Sequence, residues 1–146
     1  MRPLLVRLTT HYLGALHRTL YRVSGGRIGA HIWGLPIVLL TTTGRQSGRP
    51  RTVPLCSLQS GESYIVIASY GGLDRSPAWW LNLQRDPRAS LQHGSSIRNV
   101  VAREATGAER ERLWAEVTAI APGYLAYERR TTRRIPVVLL QPAQRL

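Results

Sequence analysis

The sequence predicts a mainly β fold: a small antiparallel barrel of about six strands, decorated by an N-terminal amphipathic helix and by late helices. Three observations carry that prediction. Short apolar runs rich in Val, Ile, Leu and Thr recur between Gly- and Pro-bearing turns over most of the chain. Helical signals are confined to the first two dozen residues, a Pro-led segment near residue 77 and the stretch after Thr106. A length of 146 residues with no repeat, low-complexity tract or linker suits one barrel domain with its own core.

Each element has a local cause. From Arg2 to Val23, the residues Leu5, Leu8, Tyr12, Leu16, Leu20 and Val23 recur at helical spacing while Arg7, His11, Arg18 and Arg22 fall elsewhere. The charges make this helix too polar to span a bilayer, which leaves two roles: packing on the domain, or contact with an anionic membrane surface through residues 1–24. Ser24-Gly25-Gly26 ends it, so residues 1–29 form a helix with connector and residues 30–146 the barrel domain. Leu35 to Thr43, Arg51 to Leu58 and Ser63 to Tyr70 read as three sequential strands of an antiparallel meander.

Ser76-Pro77 has the form of a helix start, with Ser as N-cap and Pro at the first helical position; Asp86-Pro87 stops that helix. Ala89 to His93 and Ile97 to Ala105 make a hairpin turned at Gly94-Ser95-Ser96. Thr106 and Glu109 are spaced as a capping box, and Leu113, Val117, Ile120 and Tyr124 line one apolar face, with Arg110 off it. Pro122-Gly123 breaks this helix, a short one runs from Tyr124 to Thr131, and Ile135 to Leu140 is the last strand.

Composition narrows the function classes. All 20 basic residues are Arg against 8 acidic ones, a net charge of +12, so the partner is anionic: nucleic acid, a membrane surface or a polyanionic small molecule. A single cysteine, Cys56, excludes a disulfide framework, a Cys-based zinc site and a redox pair, and fits a reducing cytoplasm. The four histidines are scattered, so no metal site and no Ser-His-Asp arrangement is visible. A nucleic-acid-binding barrel needs aromatic residues interleaved with Arg on one strand, and none of these strands has them.

Between the first two strands lies Thr43-Gly44-Arg45-Gln46-Ser47-Gly48-Arg49-Pro50-Arg51. Two glycines able to take positive φ, hydroxyl donors and three guanidinium forks are the materials of an anion site, although a solvated hairpin turn uses the same residues. It is not a Walker A loop, because Pro50 and Pro54 lead into extended chain where that motif opens a helix.

The ordered series Leu39 to Leu55, Ala68-Ser69-x-Gly71-Gly72, Pro77-Ala78-Trp79-x-x-Asn82-Leu83, Ala102-Arg103-Glu104-x-Thr106, Tyr124-x-x-Tyr127 and Arg134-Ile135-Pro136-Val137-Val138 closely resembles the deazaflavin-dependent nitroreductase family, over about residues 30 to 142. The resemblance implies the split β-barrel shared with flavin mononucleotide-binding oxidoreductases. It also implies coenzyme F420, an 8-hydroxy-5-deazaflavin with an anionic phospholactyl-oligoglutamate tail, with FMN as the alternative cofactor. By that resemblance Arg45, Gln46, Ser47 and Arg51 meet the tail, and Pro54, Ala68, Ser69, Ala78, Trp79 and Asn82 surround the ring. Tyr124, Ser69 and Tyr127 are the implied catalytic set, facing a small electron-poor acceptor such as a quinone, an activated enone or a nitroaromatic. Gln46 stands where the family often has Lys, and Cys56 where it often has Tyr. The implied activity is hydride transfer from reduced deazaflavin in the cytoplasm, with a possible place at the inner membrane face. A deazaflavin-storage protein with little turnover is the competing reading, and the sequence leaves the oligomeric state open.

Overall fold

The structure, a computed structural model, describes residues 31–32 and 34–144, together with the helical position Arg18. Apart from Arg18, the expected N-terminal helix and the domain boundary at residue 29 lie outside the described residues, as does Trp33. Among the residues described from His31 onward there are eight strands and three α-helices. The strands are β1 (His31–Ile32), β2 (Leu35–Thr43), β3 (Pro50–Cys56), β4 (Leu58–Ser60), β5 (Ser63–Ile67), β6 (Arg88–His93), β7 (Ser96–Glu104) and β8 (Val137–Pro142); the helices are α1 (Ala78–Arg85), α2 (Gly107–Ile120) and α3 (Gly123–Arg130). The six longer strands are those expected, and the two short ones are additions.

All pairings are antiparallel, in the order β1-β2-β6-β7-β8-β5-β4, with β3 on the other edge of β2. Only Ser57 separates β3 from β4, and its N–H donates to the Pro36 carbonyl at 2.8 Å. A segment that pairs β2 as far as Cys56 therefore pairs β5 from Leu58 onward, and this bend closes the sheet into a barrel. The expected three-strand meander is corrected here, because β3 has no ladder with β5, whose partners are β4 and β8. Having a ladder on one side only, β3 tolerates Pro50 and Pro54.

Two apolar cores result from burial on both faces of the barrel wall. Inside lie Val38, Leu40, Tyr64, Val66, Leu91 and Leu140, closed by Trp79, Trp80 and Leu83 of α1. Outside, Leu113 and Val117 of α2 and Tyr124 of α3 cover Ile65, Ile67 and Val137. At about 1.5–3 kcal/mol for each fully buried aliphatic side chain, these cores hold the barrel rigid around its open edge at β3.

Several local expectations are revised. Pro77 is itself the N-cap of α1, with extended φ/ψ, and Ser76 makes no cap. Thr106 makes no side-chain cap on α2, because Glu109 instead takes both guanidinium nitrogens of Arg103, at 2.7 and 3.2 Å. Ile120 is 46% exposed, whereas Arg110 is 6% exposed, stacked on Trp114 and bonded to the Ile135 carbonyl at 2.9 Å. Helical spacing ranks an arginine as polar, but its stem is long enough to bury against an indole while its head reaches a carbonyl.

Candidate functional site

A cavity of about 690 Å³ opens where β3 leaves the barrel wall uncovered, between the loop after β2, the turn after β5, the start of α1 and α3. Its floor is β3 itself, from Thr52 to Cys56. No carboxylate is among its lining residues, while Arg45 and Arg51 are, so the chamber is positive at the end formed by the glycine loop.

That loop is a closed structure. Gly44 N–H donates to the Arg49 carbonyl and Gly48 N–H to the Gly44 carbonyl, both at 2.8 Å, and Ser47 Oγ accepts from Arg49 N–H at 3.1 Å. Gly48 takes φ +70° as expected, but Gly44 does not have positive φ; glycine is needed there because a Cβ would stand 2.6 Å from Ser47 Oγ. Asn82, on α1 and 3% exposed, fixes the loop to the helix. Its Oδ1 accepts from Arg45 N–H and Nη1–H, both at 3.1 Å, and its Nδ2 donates to Thr42 Oγ1 at 3.0 Å. The first intrahelical bonds of α1 come from Trp80 and Leu81, so the N–H groups of Ala78 and Trp79 precede them at the cavity wall.

The turn Ala68–Leu73 contributes Ser69, Tyr70 and Gly71 to the same cavity wall. Tyr70 (φ +46°), Gly71 (+63°) and Gly72 (+80°) are consecutive left-handed residues. Arg133 holds them from outside the cavity: Nη2 donates to the carbonyls of Ser69 (2.8 Å) and Ala68 (3.1 Å), and Nε to that of Leu73 (2.8 Å). Burial pulls the Arg133 guanidinium below its ordinary value, with Asp74 opposing the shift. Arg133 belongs to a run of four arginines, Arg129, Arg130, Arg133 and Arg134, and its fork faces backbone carbonyls.

The back wall pairs Tyr124, 6% exposed, with Cys56 through a side-chain hydrogen bond. Burial, then the thiol, raises the Tyr124 phenol well above its usual range, so it keeps its proton at any ordinary pH. Burial likewise raises the Cys56 thiol, and the Tyr124 hydroxyl opposes that shift.

The structure thus brings Arg45, Gln46, Ser47, Arg51, Pro54, Ser69, Ala78, Trp79, Asn82 and Tyr124 together around one chamber. Two anticipated residues are not on its wall. Ala68 is wholly buried in the inner core, with its carbonyl turned to Arg133, and Tyr127 stands behind Tyr124, edge-on with ring centroids 6.1 Å apart. Sequence reasoning missed Tyr70, Leu55 and Ile67 as lining residues. The hairpin register was the available signal for Leu55, and nothing local marks Tyr70.

Comparison with known proteins places this geometry. The family model described as F420H(2)-dependent quinone reductase matches residues 15–142. An F420H(2)-dependent quinone reductase of Mycobacterium tuberculosis is 40% identical over 129 residues, which are 86% of this chain and 87% of that protein. A solved F420-H2 dependent reductase, FDR-A, is 38% identical and covers 77% of this chain and 100% of its own, with a TM-score of 0.68. A second solved structure, described as a domain-swapped dimer, is 35% identical with a TM-score of 0.70, covering 91% of this chain and 99% of its own.

Proposed function

We propose, from the premise that this chain belongs to the F420H(2)-dependent quinone reductase family, how its residues serve that family's reaction. The protein is an oxidoreductase of the split β-barrel fold, its cofactor is coenzyme F420 and its other substrate is a small-molecule electron acceptor. The chamber suits such a cofactor: cations and free N–H groups gather at the glycine loop and α1, and Pro54, Leu55 and Ile67 offer an apolar wall for a planar ring. Reduced deazaflavin, when bound, supplies hydride and favours two-electron chemistry.

The chain's own work is binding, orientation and proton supply. Arg45 and Arg51 neutralise phosphate and carboxylate oxygens, with Ser47 as a neutral donor and the Asn82 clamp keeping Arg45 in place. Ala78 and Trp79 offer backbone N–H donors to a ring carbonyl. Tyr124 and Ser69, which both line the chamber, hold the acceptor oxygen. A quinone that gains hydride becomes a hydroquinone anion and needs one proton. Tyr124, protonated at working pH, donates a hydrogen bond to that developing charge, and solvent restores any proton it transfers. Tyr127 supports Tyr124 from behind. Residues 1–24, basic and amphipathic in sequence, give the protein a peripheral hold on the cytoplasmic face of an anionic membrane, where lipid-soluble quinones reside. Their deletion is expected to abolish vesicle binding and spare soluble-acceptor reduction; a truncated protein that still binds vesicles refutes that part.

The observation that carries the reading is a carboxylate-free, Arg-lined chamber whose back wall holds a buried phenol. Its test is a fluorescence titration with oxidised F420, FMN and a single-stranded oligonucleotide. F420 is expected to bind tightest, and Arg51→Ala to lose about 1.5–3 kcal/mol of that affinity together with part of its salt dependence. Preference for FMN or oligonucleotide, or an unchanged Arg51→Ala affinity, refutes it. Tight F420 binding with no reduction of any quinone would favour storage.

A further inference from the structure

We infer that Tyr70 selects the acceptor: its ring is a platform at the cavity mouth on which planar aromatic acceptors stack, so that they are favoured over non-aromatic ones. The inference rests on the proposed function, since it concerns the acceptor side of the same chamber.

Tyr70 lines the cavity and is nevertheless 44% exposed, which places it at the cavity mouth. It is the only non-glycine with positive φ among the described residues, at +46°. A bulky aromatic residue resists that conformation, and such a residue persists only where its surroundings hold it. They hold it here from three sides. Arg133 bonds the carbonyls of Ala68, Ser69 and Leu73. Gly72 lies so close to α3 that a Cβ would stand 2.8 Å from the Tyr127 carbonyl oxygen. Asp74 Oδ1 accepts from Thr131 Oγ1 at 2.7 Å, tying the end of the turn to the chain after α3.

Arg75 covers the ring, with its guanidinium carbon 5.4 Å from the centroid. A cation over one face of a phenol ring limits the orientations the ring can take and leaves the opposite face for a planar acceptor to stack on. The neighbouring Ser69 is placed by the same turn to meet an acceptor oxygen, so stacking and hydrogen bonding are set together. Non-aromatic enones have no comparable face and take only the polar contacts.

Steady-state reduction with reduced F420 tests this, using menadione as the planar aromatic acceptor and 2-cyclohexen-1-one as the non-aromatic one. Tyr70→Phe keeps the ring, and Tyr70→Asn removes it while tolerating left-handed φ. Tyr70→Asn is expected to raise the menadione KM about five- to tenfold, the scale of one aromatic contact, with kcat, enone KM and F420 Kd within about twofold of wild type. Tyr70→Phe should behave as wild type for both acceptors, and thermal melts should show both variants folded. Equal changes for both acceptors, no change for either, or an F420 Kd that weakens together with the menadione KM would overturn the inference. A failed Tyr70 result beside normal wild-type F420 binding and turnover leaves the proposed function standing; a wild type that does not bind F420 removes both.

Discussion

The glycine loop Gly44–Gly48 and the turn Ala68–Leu73 both contribute to the wall of one chamber and solve one problem by different means. Both need backbone in conformations that side chains resist, and both are held by one polar residue with three hydrogen bonds. Asn82 holds the loop from the nearest helix, bonding one N–H, one guanidinium and one hydroxyl. Arg133 holds the turn from 60 to 65 residues away, bonding carbonyls alone. From Gly44 to Arg49 the loop has three hydrogen bonds within itself, whereas the turn has two, Gly72 N–H to the Ser69 carbonyl and Leu73 N–H to the Tyr70 carbonyl. The turn is therefore the more dependent of the two on its clamp.

The largest effect should come from removing that clamp. Arg133→Met keeps much of the side-chain volume but strands the part-buried carbonyls of Ala68 and Ser69, and it is expected to cost about 3 kcal/mol in urea unfolding. Arg133→Lys should recover little, because a single ammonium cannot replace the fork. Asn82→Ala leaves the Thr42 hydroxyl, 1% exposed, without its donor but lets the Arg45 N–H reach water, so about 2 kcal/mol is expected. A smaller loss for Arg133→Met than for Asn82→Ala would reverse the comparison.

The same contrast explains what the sequence disclosed. The loop was legible because Gly, Arg, Ser and Pro are adjacent in the chain and each has a local conformational meaning; the barrel was legible because β-branched runs alternate with turns. The turn's clamp was not, since a run of four arginines, Arg129, Arg130, Arg133 and Arg134, carries no mark of which one points inward. Arg110 hid for the same reason. The break at Ser57 was equally silent: strand propensity runs through it unaltered, and only the exchange of partner from β2 to β5 ends one strand and starts another. Local signals located the cavity wall, while the long-range contacts that tension it appear only in three dimensions.

Paired glycine substitutions sharpen the comparison at a smaller scale. Gly72→Ala meets two penalties, a φ of +80° and a Cβ 2.8 Å from the Tyr127 carbonyl oxygen, where the backbone of α3 cannot yield easily. A loss of about 2–3 kcal/mol is expected. Gly48→Ala has φ +70° but nothing within 4 Å of the added methyl, so about 1 kcal/mol is expected from conformation alone. Equal midpoints in urea would mean that α3 moves aside and that the turn is looser than its contacts indicate.

The wall between the two regions gives the smallest effect, and only in alkali. Tyr124 is held above the ordinary phenol value of about 10, chiefly by burial, so on raising the pH the unfolded chain releases this proton before the folded one does. Stability that is complete below pH 10 is therefore lost as pH climbs above it, by about 1 kcal/mol at pH 11 for one such group. Tyr124→Phe should remove that share of the slope while Cys56, also raised by burial, keeps its own. Urea midpoints of wild type and Tyr124→Phe between pH 8 and pH 11 measure the difference. The two curves should run parallel to about pH 10 and converge above it. If they stay parallel throughout, the phenol is solvated in the folded chain and releases its proton at about pH 10, as an unfolded tyrosine does.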